Sequence, residues 1–208
     1  ISTTATGDIS LYANWTVNTV EYDQTVWRPC EPTATLNAII SSNYKEASGI
    51  TCKDLTINSD LQVTFSSDVT VTGNLLVKSG ATLINNGNLS VAGTTTVQQN
   101  LTGAGNATPS GRHWYVASPV AGATSTTFNA AGTDKLWYYD ETAHGYSEIT
   151  DNTNVLSVGT GYVTRLGADQ TVSFTGTLTS GDVTLAPTNS GATDAKRGYN
   201  LIGNPYLS

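Results

Sequence analysis

Methionine is absent from the 208 residues, and cysteine and histidine occur only twice each. Each shortage removes a class of chemistry. Cys30 and Cys52 are too few for a zinc site and lie in no redox motif. His113 and His144 leave little to build a nucleophile–base pair or a metal centre, and no G-x-S-x-G elbow accompanies them. Charged residues make up 12% of the chain and the net charge is −7. Nucleic acid is therefore not an expected partner, because its binding depends on Lys and Arg neutralising phosphates. No run of about 18 apolar residues exists, so no segment is expected to insert in a membrane as a helix. No signal peptide is visible, and the missing initiator Met leads us to expect a processed or excised segment.

What the chain has in abundance is threonine, 35 residues of it, beside Ser, Asn and 20 Gly. These residues favour strands and turns over helices. Few charges with 38% hydrophobic residues describe a folded β protein and not a disordered one.

Residues 55–94 read as two tandem copies of one 20-residue unit, LTINSDLQVTFSSDVTVTGN and LLVKSGATLINNGNLSVAGT. Leu55 aligns with Leu75, Ile57 with Val77, Leu61 with Ala81 and Val63 with Leu83. Further on, Val69 aligns with Leu89, Val71 with Val91 and Gly73 with Gly93. A third, fading copy begins at TTVQQNL. Apolar and polar residues alternate over three short runs per copy, which means short strands with one face buried. Three strands per 20 residues, repeated in register, predict a parallel β-solenoid.

The pattern divides the chain into three parts. Residues 1–34, with Trp15, Trp27, Pro29 and Pro32, read as an irregular N-terminal cap over the exposed solenoid end. Residues 35–102 form the solenoid. At about 4.8 Å per coil, its three or four coils make a stub of roughly 15–20 Å. TGAGNATPSG, residues 102–111, marks a boundary of Gly, Pro and small polar residues. Residues 103–208 then carry longer, aromatic-rich strand candidates with no helix between them, the pattern of an antiparallel β-sandwich or jelly-roll-like domain. Within it DETAHG reads as a hairpin loop and TLTSGDVTL as a tight hairpin. The chain stops at NPYLS just after a strand candidate, so a longer parent polypeptide is expected. The fold class is therefore all-β, a short solenoid followed by a sandwich.

Little in this pattern favours catalysis. A lyase or hydrolase on a solenoid clusters carboxylates and a base on one face of adjacent coils. Between 55 and 102 only Asp60, Asp68 and Lys78 are ionisable, and Asp60 and Lys78 fall near turns at different repeat positions. His113 lies in an aromatic strand, where packing is the default, and His144 is expected to be solvated in its loop. DNTN, residues 151–154, lacks the later Gly and bidentate Glu of a calcium loop, so a turn-stabilising Asp151 is expected. We therefore expect no catalytic residue, metal or cofactor.

Aromatic residues are the live signal. Alternation sends Trp137 and Tyr139 one way, Leu136 and Tyr138 the other. One face must be core. The other, with Tyr146, is a candidate sugar-stacking platform, in competition with plain cross-strand packing. For the cysteines we expect a disulfide from Cys30 to Cys52, tying the cap to the first coil. Cys52 shares a face with Ile50, and the prolines around Cys30 stiffen the chain there. Two separate buried thiols are the alternative.

The order of motifs is also familiar. GRHWYVASPV, LWYYDETAHGYSEI, GTGYVTRLG, FTGTLTSGDVTL and GYNLIGNPY follow the solenoid copies. This succession resembles the non-catalytic regions of large secreted and cell-surface proteins of Bacteroidota that carry a type IX secretion sorting domain. The matching stretches are Trp114–Val120, Trp137–Glu141, Gly159–Tyr162, Phe174–Gly181 and Gly198–Tyr206. The resemblance covers about residues 35–208 and implies a secreted or surface-attached, adhesin-like module with no catalytic residues to carry over. The partner would be a surface glycan or another cell-surface protein, with self-association through solenoid ends a third option. A carbohydrate-binding accessory module of a polysaccharide-degrading enzyme is the competing expectation.

Overall fold

The computed structural model describes residues 17–103, 112–128, 134–190 and 197–207. Eleven strands come first: β1 (Thr19–Asp23), β2 (Val26–Arg28), β3 (Asn37–Ile40), β4 (Ile50–Cys52), β5 (Leu55–Ile57), β6 (Gln62–Phe65), β7 (Val69–Val71), β8 (Leu75–Val77), β9 (Thr82–Asn85), β10 (Leu89–Val91) and β11 (Thr95–Leu101). After them come β12 (Trp114–Ala117), β13 (Val120–Ala121), a 3-10 turn (Ser125–Phe128), β14 (Lys135–Asp140), β15 (Gly145–Glu148), β16 (Gly161–Arg165) and β17 (Gln170–Leu178). The chain is all-β, as expected.

The first part is a three-sided parallel β-solenoid. One side stacks β1, β3, β5, β8 and β11; the second stacks β4, β7 and β10; the third stacks β6 and β9, with Tyr44 bridged onto Val63. Leu55 pairs with Leu75, Val63 with Leu83 and Val69 with Leu89, the register set by the 20-residue repeat. Leu55, Ile57, Val63, Val69, Val71 and their partners Leu75, Val77, Leu83 and Leu89 are buried, while Gln62, Thr70 and Ser90 face solvent. Alternation on a strand stacked above its own copy leaves no other way to hide these side chains.

Polar side chains lace the corners from coil to coil. The Asp54 carboxylate accepts the Asn74 N–H at 2.7 Å, and the Asn74 carbonyl oxygen accepts the Thr94 N–H at 2.9 Å. At another corner Asp68 accepts the Asn88 N–H at 2.9 Å. A Cβ on Gly73 would stand 2.3 Å from the Asp54 oxygen, and one on Gly93 would stand 2.6 Å from that of Asn74. The glycines thus keep the corridor through which each coil reaches the next.

Three expectations need correction. Part of the stretch expected as an irregular cap, residues 1–34, is regular: Thr19–Asp23 is a strand. Val20 pairs in parallel with Ala38, and Val20 and Tyr22 enter the solenoid core, so this stretch is itself part of a coil. The steps of the upstream coils vary, with Ala38 facing Leu55 and Ile50 facing Val69, and this hides them from a search for one period. Capping falls to β2, which folds back antiparallel on β1. Its Trp27 packs edge-on to Tyr22 at 5.4 Å between ring centres. Trp15 lies outside the described residues.

The expected disulfide is absent too: Cys30 and Cys52 are free thiols, one exposed and one buried. Cys52 points into the core from β4, opposite Val71 on the second side, whereas Cys30 follows β2 at the end of the first. Burial, helped by the charge of Asp54, pushes the Cys52 thiol up to about 12. The third correction concerns TLTSGDVTL, which makes no hairpin. β17 ends at Leu178, and residues 181–190 form no strand.

Most of TGAGNATPSG lies outside the described residues, yet the first solenoid side continues past it. β11 pairs antiparallel along its full length with β17, from Thr95 opposite Gly176 to Leu101 opposite Gln170. The boundary after residue 102 thus separates two cores that share one eight-stranded sheet. In the second core a four-stranded antiparallel sheet, in the order β12-β16-β14-β15, lays Val116, Leu136 and Tyr162 against Leu101, Val172 and Phe174.

Candidate functional site

Strand alternation decides which face of the second sheet each ring takes. Leu136 goes to the core, so its neighbours Trp137 and Tyr139 take the opposite face, where both are half-buried, while Tyr138, on the side of Leu136, is exposed. The same alternation on β12 sends Val116 inward and Tyr115 outward. Cross-strand register then assembles one row across three strands: Tyr115 opposite Val163, and Val163 opposite Trp137. In the next row of the β14–β15 hairpin Tyr139 faces Tyr146, edge to face at 5.4 Å between ring centres. The phenols of Tyr146 and Tyr115 are hydrogen-bonded, and burial followed by the Tyr115 neighbour raises the Tyr146 pKa.

Trp137, Tyr139 and Tyr146, the three rings expected from sequence, therefore share one outward face. Two further tyrosines join them. Tyr115 is 71% exposed, Tyr146 53% and Tyr199 60%. Alternation around Val116 was enough to find Tyr115. Nothing local could find Tyr199, which is brought in by the return of the chain. Gly161 donates its N–H to the Leu201 carbonyl at 2.9 Å, and Gly203 donates to Gly159 at 3.0 Å. The lack of a side chain at Gly161 is essential here, since a Cβ would sit 2.7 Å from the Leu201 side chain.

The result is a cleft of about 440 Å³ walled by Tyr139, His144, Tyr146, Tyr199 and Leu201. Its frame is fixed by carboxylates. Asp140 accepts the Thr142 N–H at 3.0 Å and the Thr142 hydroxyl at 2.7 Å, closing the hairpin loop. Glu141 is buried and accepts the N–H groups of Gly198 and Ser190, each at 2.9 Å. Those bonds hold its carboxyl below the usual range and clamp the backbone next to Tyr199. The Asn200 side chain accepts from Thr188 N–H at 3.0 Å and donates to the Thr188 carbonyl at 2.8 Å. His144 is half-buried in this wall, not solvated as expected, with Nδ1 shut away from water.

The remaining candidates hold structure together. Lys78 donates to the Asn58 side chain at 2.9 Å, Asp60 sits in a turn beside Gly80, and Asp68 caps its neighbouring coil. The Asp151 carboxylate accepts the Thr153 N–H at 2.8 Å and its hydroxyl at 2.7 Å, the turn-stabilising role expected for it. His113 packs against Trp137 at 6.0 Å between ring centres. Among the described residues no three His, Cys, Asp or Glu side chains gather as a metal site would require. A larger hollow, about 540 Å³, lies between the last coil and residues 201–207, lined by Lys78, Leu83, Gln98, Gln99 and Tyr206 among others. It is the seam between the last coil and the returning chain, and its Lys78 and Tyr206 are already bonded to Asn58 and to the Gly181 carbonyl.

In comparisons with known proteins, the family model for a domain of unknown function (DUF8693) matches residues 5–208. No curated protein and no solved structure matches the chain.

Proposed function

For this chain, which belongs to the DUF8693 family, we propose the role of a non-catalytic structural and adhesion module within a large secreted or surface-anchored protein. The solenoid is the stem and the antiparallel sheet is the head. One observation carries the proposal: at the corners of the stem Asp54, Asp68 and Asn74 are committed to bonds between coils, whereas large rings are left exposed on the head. A stem built this way transmits position, and its stacked sheet resists extension because every coil is bonded to the next. Exposed rings on a rigid strand pair supply contact area at small entropic cost, the property that adhesive surfaces need.

A second function, a carbohydrate-binding accessory module, is favoured by the tyrosine-walled cleft, whose rings are flat and rimmed with hydroxyls. The surface role and the absence of catalysis are tested by protease treatment of intact producing cells and by incubating the purified chain with a polysaccharide panel. We expect peptides of this chain to be released from the cell exterior and no bond cleavage in any polymer. Retention inside the cell would overturn the surface role, and cleavage that survives purification would overturn the non-catalytic one.

A further inference from the structure

We infer that the cleft between Tyr139, Tyr146 and Tyr199 is a binding subsite for a neutral pyranose chain, which rests on the carbohydrate-binding function above and assigns it a place and a ligand class. Four observations converge on this. The walls are phenols, which combine an apolar face with a polar rim. A pyranose with equatorial hydroxyls has the same build, a flat C–H face edged by donors and acceptors, so the two surfaces match in chemistry as well as shape.

The volume, about 440 Å³, falls within the range of small-ligand sites, and the cleft is not enclosed. An open trough admits one unit of a longer chain, where a closed cavity would demand a free monosaccharide. The rings are also held in place before any ligand arrives. Tyr139 and Tyr146 are a cross-strand pair, Tyr146 is tied to Tyr115, and Tyr199 follows the Gly198 N–H held by Glu141. Binding therefore immobilises little that was free.

Charge selects among glycans. Among the described residues that wall the cleft there is no lysine or arginine, and the chain carries −7 overall. Uronate or sulfated polymers would meet repulsion without a compensating cation. Neutral backbones meet none.

The test is affinity electrophoresis of the whole chain in native gels containing xylan, galactomannan, mixed-linkage glucan or polygalacturonate. Retardation is expected in at least one neutral polymer and not in polygalacturonate. Tyr146→Ala and Tyr199→Ala should each weaken that retardation by roughly tenfold, the loss of one stacking surface. Tyr146→Phe, which keeps the ring, should retain most of the binding. Ile84→Ser, on an exposed position of the solenoid, should change nothing. Circular dichroism of each variant establishes that it is folded. Binding to neutral polymers that survives both alanine substitutions would overturn the site while leaving the carbohydrate function intact. Binding to polygalacturonate alone would overturn the ligand class. Retardation by no polymer at all would overturn both the site and the carbohydrate function.

Discussion

Single residues in this protein are most informative where a titratable group meets burial or a hydrogen bond. Tyr44, deep in the aromatic stack with Tyr22 and Phe65, is pushed up to about 12 by burial first and by Glu46 next. Glu141 shows the opposite behaviour. Two backbone N–H groups hold its carboxylate, so its folded-state pKa lies below its value in the unfolded chain. Stabilisation from such a group is present above the unfolded value, near 4.3, and is lost as pH falls through the lower folded value. Glu141→Gln should therefore be less stable than the parent at pH 7, and the gap should narrow on acidification to about pH 3. Urea midpoints at the two pH values check this, and a gap that widens in acid would contradict it. The motif containing Glu141 was legible in the sequence, but its role was not. Its partners Ser190 and Gly198 lie far along the chain, and no local pattern joins them.

At the scale of elements, the solenoid corner is a device of two residues in one coil and one in the next. Asp54 reaches across to the Asn74 N–H, and Gly73 clears the space for it. Asp54→Ala should cost about 1 kcal/mol, the net value of one such hydrogen bond. Gly73→Ala brings a Cβ within 2.3 Å of the same carboxylate oxygen, so part of its cost is relieved once that carboxylate is gone. The two substitutions should consequently be coupled: Gly73→Ala should destabilise the Asp54→Ala background less than the parent. Denaturant unfolding of the four proteins measures the coupling, and strict additivity would sink the idea. The pairing of Gly73 with Gly93 was visible as a repeat position. The reason for it, an oxygen passing beneath, was not, because it requires knowing which side chain of the preceding coil turns into the corner.

At the scale of the whole molecule, β11 is the element on which both halves depend. It stacks in parallel on β8 as the last strand of the first solenoid side, and pairs antiparallel with β17 as a strand of the head. Val97 packs against both cores. A shared sheet transmits loss of one half to the other, so thermal unfolding should be a single transition. Phe174→Ala empties a fully buried site in the second core, at a cost of about 3–5 kcal/mol. It should lower the midpoint reported by Trp27 at the solenoid end as much as the one reported by Trp137 in the head. Fluorescence of single-tryptophan variants reads the two separately, and distinct midpoints would show that the halves unfold alone. The sequence by itself determined the solenoid and its register between residues 55 and 94. There each residue stacks on its own counterpart one period away, so local alternation and translational repetition contain the whole answer. It also determined which face of β14 carries Trp137 and Tyr139, because alternation follows from the pleat. Tertiary structure alone decided the upstream coils, whose corners vary in length. It also decided the free state of Cys30 and Cys52, the fusion of stem and head through β11, and the arrival of Tyr199 at the cleft. Each of these depends on contacts between segments far apart in the chain, which are selected by burial of both partners at once and leave no periodic trace in either.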